Sequence, residues 1–151
     1  MVVPIVDVHG RQIGAHATFL RSDGRGKAEL PKREQREFVG PRMGGAVRLA
    51  DPRPGVPLLV GEGIESTLSA MQIFGLPGWA ALSADGIAAL ELPSEIRDIR
   101  ICADNDQNAV GQSAAVTAYR RWTAEDRIVR VLLPPQAGTD FRDVLVLGHR
   151  S

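Results

Sequence analysis

Between Pro57 and the end of the chain, four short apolar runs alternate with longer stretches of helical spacing, and this rhythm restricts the possible folds more than any other feature. The runs occupy residues 58–60, 79–82, 99–102 and 128–133. Continuous apolar runs of this length read as strands buried on both faces. The intervening stretches read as helices: 64–74, with Leu68, Met71 and Ile73 forming a core stripe and Gly75 and Pro77 as stop signals; 86–90; the alanine-rich 111–124; and 141–147. Strands joined by helical crossovers imply a mostly parallel sheet flanked by helices with right-handed connections, an α/β class. A chain of 151 residues, 44% hydrophobic and 24% charged, has enough material for about one such domain. No apolar run reaches the length of a membrane span, and Met1-Val2-Val3-Pro4-Ile5 lacks the basic and apolar segments of a secretory signal, so a cytoplasmic protein is expected. A lone Cys102 leaves no internal disulfide and no cysteine-rich zinc site.

The first 55 residues have a different texture. Residues 5–9 and 13–20 alternate apolar and polar around a Gly10-Arg11 turn, which predicts a hairpin, and Ser22-Asp23-Gly24 predicts another turn. Residues 31–45 carry prolines, glycines and charges without a period and read as a loop; residues 46–49 read as one more short strand. Asp51-Pro52-Arg53-Pro54-Gly55 then breaks regularity, suggesting a β-rich segment over 1–55 and an α/β domain over 56–148. The net charge of zero hides a division: ten Lys and Arg against six Asp and Glu leave +4 up to Gly55, and eight against twelve leave −4 beyond it. The basic share, including Lys32, Arg33, Arg36, Arg42 and Arg48, suits phosphate contacts, although a solvated loop surface would show the same composition.

Acidic residues stand where two of the predicted strands end. Glu62 follows residues 58–60, and Asp104 and Asp106 follow residues 99–102. Ligands of open α/β sheets collect beyond the carboxyl ends of the strands, and carboxylates converging there repel one another unless a hard, oxygen-seeking cation lies between them. Asp-Asn-Asp is also ordinary turn chemistry, so either aspartate alone would say little. Other readings of the pair fare worse. An EF-hand loop opening at Asp104 would need glycine at 109 and glutamate at 115, where the chain has Ala109 and Ala115. An aspartyl phosphatase would place its acids on the first strand and a lysine downstream, yet no lysine follows Lys32. No dinucleotide-type or P-loop glycine motif is present.

Taken in order, Val60-Gly61-Glu62-Gly63-Ile64, Ala81-Leu82-Ser83-Ala84-Asp85-Gly86, Ala103-Asp104-Asn105-Asp106 with Gly111, and Gly138-Thr139-Asp140-Phe141-Arg142-Asp143 resemble the Toprim domain. That module is shared by bacterial-type primases, type IA and type II topoisomerases and some nucleases. The likeness is greatest to the Toprim modules of plasmid- and phage-type primases and primase-helicases, and the β-rich start resembles the segment preceding Toprim in those proteins. The resemblance implies Mg²⁺ (or Mn²⁺) held by Glu62, Asp104 and Asp106, with Glu62 as ligand or general acid/base. It also suggests Asp140 and Asp143 as further ligands or supports, although Asp140 equally suits a helix cap. Gly63 and Gly111 would let phosphates approach the backbone, with the helix starting near Gly111 aiming its N–H groups at the same edge.

Among Toprim enzymes, topoisomerases need a tyrosine nucleophile, and the one tyrosine, Tyr119, lies inside the alanine-rich helix. The expected function is therefore primer synthesis from nucleoside triphosphates on a single-stranded DNA template, in replication of a mobile element. A zinc ribbon or helicase, in cis or in trans, is the expected partner, and the chain reads as a catalytic module or a fragment of something longer. A Toprim endonuclease and a non-catalytic nucleic-acid-binding module are the alternatives. Glu65 is expected to face solvent, Asp85-Gly86 to form a turn, Cys102 to be buried, and His9, His16 and His149 to be strand or tail residues without metal-ligand spacing.

Overall fold

The computed structural model describes residues 1–105 and 110–148. A five-stranded sheet dominates it, ordered β4-β6-β5-β7-β8, with β4 at Val47–Arg48, β5 at Leu58–Gly61, β6 at Gly78–Ala80, β7 at Asp98–Cys102 and β8 at Ile128–Leu132. All its pairings are parallel except that of β4 with β6. Four helices connect or follow the strands: α1 at Ile64–Phe74, α2 at Ala84–Ala89, α3 at Val110–Ala124 and α4 at Phe141–Gly148.

Period-two alternation along the buried strands creates a core on each side of the sheet. Leu58, Val60, Ile99 and Ile101 pack with Trp79, Ile87, Leu90, Ala115, Ala118 and Trp122, and so against α2 and α3. Leu59 and Cys102 face the other way, toward Ala70 of α1 and Phe141 of α4. Full burial of such aliphatic side chains contributes roughly 1.5–3 kcal/mol each. The helices flank a mostly parallel sheet, as the rhythm of the sequence implies.

An antiparallel sheet of β1 (Val2–Val6), β2 (Gln12–Thr18) and β3 (Arg36–Val39) precedes it. The strand expected over residues 5–9 ends at Val6, because the Asp7 carboxylate accepts the backbone N–H groups of His9 and Arg11 and turns the chain. β3 falls inside the predicted loop. Its pairing with β2 leaves only Phe38 half-buried, set against His16, so the sequence shows no alternation. Ile5 packs with Val47, Ile64, Ala80 and Leu82, which joins the small sheet to the carboxyl edge of the large one.

At that edge β6 ends at Ala80 rather than continuing to residue 82. Leu82 adopts φ 72°, a strained conformation costing about 1–3 kcal/mol, and the chain turns into α2. Ser83 caps that helix, its Oγ accepting the Gly86 N–H at 3.0 Å. A Cβ on Gly86 would collide with the Ala81 carbonyl oxygen, so glycine is demanded by packing there. Among the described residues, no helix is long and apolar enough to cross a membrane.

Candidate active site

Gly61 and Cys102 are in register on adjacent parallel strands, so Glu62 and Asp104 leave the sheet at the same edge. The ladder outlasts the strands slightly: the Leu82 N–H donates to the Glu62 carbonyl at 2.8 Å, and the Ala103 N–H to the Leu132 carbonyl at 3.1 Å. Asp104 is thus the first residue beyond the sheet's hold on its chain. Both acidic residues are half-buried. From the first turn of α1, buried Ser66 donates its Oγ–H to Asp104 Oδ1 at 3.5 Å.

The turn between Glu62 and α1 is shaped by Thr67. Its Oγ1 donates to the Gly63 carbonyl at 2.6 Å, and the same fully buried side chain occupies the space a Cβ on Gly61 would need. Gly63 occupies the N-cap position without a side-chain cap, leaving the first N–H groups of α1 directed to the edge where Glu62 stands. Behind the site, burial pushes the Cys102 thiol up to about 12, with the Asp104 charge adding to the effect. Cys102 is thus held as a buried thiol rather than a thiolate.

The acidic residues near α4 are used differently. The Asp140 N–H donates to Asp143 Oδ2 at 3.1 Å, and the Asp143 N–H to Asp140 Oδ1 at 2.9 Å. This reciprocal pair caps α4. Among the described residues, no group of three His, Cys, Asp or Glu side chains lies close enough to hold a metal ion. Asp106 lies outside the described residues. Glu62 and Asp104 supply hard oxygen donors of the type Mg²⁺ prefers, so their chemistry fits the cation. Gly111 lies in the first turn of α3, which begins at Val110.

A narrow cleft of about 10 Å³, room for roughly one water, separates the small sheet from the start of α1. His16, Thr18, Lys27 and Arg36 line one side; Gly63, Ile64, Glu65 and Leu82 line the other. Glu65 does not simply face solvent: it pairs with Lys27 at 2.6 Å across the cleft. Burial alone would push its carboxyl up, but the hydrogen bond from Lys27 and the nearby Lys27 and Arg36 charges outweigh this and hold it below its ordinary value. Burial, and then the Arg36 charge, hold the His16 imidazole below its ordinary value, so it is neutral at pH 7.

The other three arginines singled out in the sequence lie elsewhere. Arg33 is exposed beside Glu34, Arg42 stacks over Phe38 at 4.5 Å, and Arg48 stacks over Trp79 at 4.2 Å while donating to the Asp7 carbonyl. Arg48 thereby serves as a clasp between the sheets. Sequence reasoning missed Lys27, Ser66, Glu65's pairing and the bonds of Asn105, since each depends on segments distant in the chain.

A family model described as the Toprim domain matches residues 57–150. No curated protein matches the sequence. Among solved structures, a DNA primase domain from Pseudomonas aeruginosa is similar with TM-score 0.60 and 22% identity, over 97% of this chain and 46% of that one. The Aquifex aeolicus primase, with its zinc-binding and RNA polymerase domains, gives TM-score 0.62 and 20% identity over 97% and 36%. A chain of the bacteriophage T7 complex of lagging-strand DNA polymerase with primase domains of two gp4 subunits, bound to an RNA/DNA hybrid and dTTP, gives 0.60 and 20% over 98% and 71%. The small antiparallel sheet is therefore included in the shared fold. The present chain spans less than half the length of the first two of these proteins.

Proposed function

We propose a function from one established premise: the chain belongs to the Toprim domain family. On our reading it is the catalytic module of a primase-like protein, joining nucleoside triphosphates into an RNA primer on single-stranded DNA with Mg²⁺ or Mn²⁺. The observation that carries this reading is the register of Gly61 with Cys102, which delivers Glu62 and Asp104 to one edge of the sheet. Asp104, with Glu62 and Asp106, would hold the cation, which when bound neutralises charge developing on the transferring phosphoryl group. Glu62 would accept the proton of an attacking 3′-hydroxyl on a carboxylate oxygen. Ser66 restrains Asp104, and Thr67 fixes the Gly61–Gly63 turn that aims Glu62.

Phosphates would meet the uncapped start of α1 at Gly63 and the basic side chains of Lys27 and Arg36 across the cleft. The more distant Arg33 and Arg42 would meet template phosphates. A zinc-binding or helicase domain, in cis or in trans, would deliver the template; such a protein would act in replication of a mobile element, in the cytoplasm. The template and nucleotide part of this reading is supported by the similar bacteriophage T7 complex, whose gp4 primase domains are bound to an RNA/DNA hybrid and dTTP.

The experiment is a primer-synthesis assay with single-stranded template, labelled nucleotides and Mg²⁺, run beside a nuclease assay on the same DNA. Labelled primers from the wild type and none from Glu62→Gln are expected. Cleavage without synthesis would instead mark a Toprim endonuclease, and DNA binding without either reaction a binding module.

A further inference from the structure

Asn105 stands beside the proposed cation ligand Asp104, where the chain leaves the sheet, and makes four hydrogen bonds that the family's chemistry does not call for. Its backbone N–H donates to the Thr139 carbonyl at 3.1 Å, and its own carbonyl accepts the Gly138 N–H at 2.6 Å. Its side-chain Nδ2 donates to the Pro134 carbonyl at 3.0 Å, while Oδ1 accepts from Gln112 Nε2 at 3.3 Å. Three elements thus converge on one residue: the end of β7, the loop between β8 and α4, and the first turn of α3.

We propose that Asn105 is a positioning residue for the divalent-cation site, acting through Asp104; this rests on the cation-binding role proposed above. Up to Ala103 the chain is held by the ladder to β8, and Asp104 and Asn105 follow it directly. An anchor on the far side of Asp104 adds to the hold of the ladder and of Ser66. Asn105 supplies that anchor by tying its backbone to Gly138 and Thr139, and its amide locks the tie to Pro134 and to α3. A ligating carboxylate held at both ends of its residue loses less freedom when it takes up a cation. Orienting groups behind metal ligands typically alter affinity 10–100-fold when removed.

Asparagine is specific to this duty. A neutral amide offers a donor to the Pro134 carbonyl and an acceptor to Gln112 at once, whereas aspartate would turn an acceptor toward that carbonyl and add a charge beside Asp104. The outer partner, Gln112, is on a helix where alanine is well tolerated, so it can be removed without threatening the fold.

Mn²⁺ binding to the full chain, measured by calorimetry, tests the proposal with Asn105→Ala, Gln112→Ala and the double variant. Asn105→Ala is expected to weaken Mn²⁺ about tenfold and Gln112→Ala two- to threefold, with the double variant no weaker than Asn105→Ala because both act through one amide. In the primer-synthesis assay, Asn105→Ala should need about tenfold more Mg²⁺ for half-maximal rate yet recover near wild-type rate at saturation, a rescue that a purely structural defect would not show. If Asn105→Ala fails to fold, Gln112→Ala decides alone. Wild-type affinity in Asn105→Ala, or in Gln112→Ala where that variant decides, overturns the positioning role. If the wild type itself binds no Mn²⁺, the cation site falls and the positioning role with it.

Discussion

Two acidic pairs flank the carboxyl edge of this sheet, and they are reached by different local architecture. Asp140 and Asp143 accept each other's N–H groups and close the start of α4. Glu62 and Asp104 instead follow adjacent parallel strands held by the ladder, and Asp104 accepts a side-chain hydroxyl, that of Ser66. The difference teaches how to separate chemistry from architecture among identical residue types. An acid three residues from another at a helix start is answering orphan N–H groups; an acid just past a buried parallel strand stands where ligands of α/β sheets collect.

Substitutions can break or sharpen that contrast. The largest expected effect is on activity: Glu62→Gln should lower the primer-synthesis rate by about 10²–10⁴-fold, the usual loss for a removed general base, with far-UV circular dichroism unchanged. Next comes Gly61→Ala, whose new Cβ would meet buried Thr67 and force α1 or β5 to shift. A stability loss of about 1–3 kcal/mol by urea denaturation is expected, together with weakened activity, because the same turn carries Glu62. Asp140→Ala should cost about 0.5–2 kcal/mol of stability through the lost cap and leave Mn²⁺ affinity within about twofold. A tenfold loss of affinity there would place α4's acids in the cation site and dissolve the contrast.

The smallest effect concerns the Lys27–Glu65 pair. Because the Glu65 carboxyl lies below its ordinary value in the folded chain, its ion pair contributes above the ordinary glutamate range and is lost as pH falls through the lowered value. Melting temperatures of the wild type and Glu65→Gln should therefore differ by a few degrees at most near pH 7 and converge in acid. A gap that stays constant down to pH 3 would show that Glu65 is not titrating against Lys27.

Buried parallel strands were the most legible part of the sequence, since both faces of β5 demand apolar side chains and β7 buries Ile99 and Ile101 on one face beside Leu58 and Val60. Helix α1 was legible from its glycine stop, but the stripe expected of it was not its core face: Leu68 and Ile73 are exposed, and Ile64, Thr67 and Ala70 are among its buried positions. Exposed strands hid themselves: β3 carries Arg36, Glu37 and Val39 on the surface, so nothing in its composition distinguished it from a loop. The left-handed Leu82 was also invisible, because leucine carries no signal for that conformation. At the site, Glu62 and Asp104 could be read from their position after strands. Lys27, Ser66 and Asn105 could not, since each owes its role to a partner 38, 38 or 29 residues away or similarly remote.

Mn²⁺ binding to the wild type and to Asp104→Asn, followed by electron paramagnetic resonance, tests the central claim that Glu62 and Asp104 form a cation site at the sheet edge. A saturable site in the wild type, weakened at least about tenfold in a folded Asp104→Asn variant, is the expected result. Equal binding by the two proteins would contradict it.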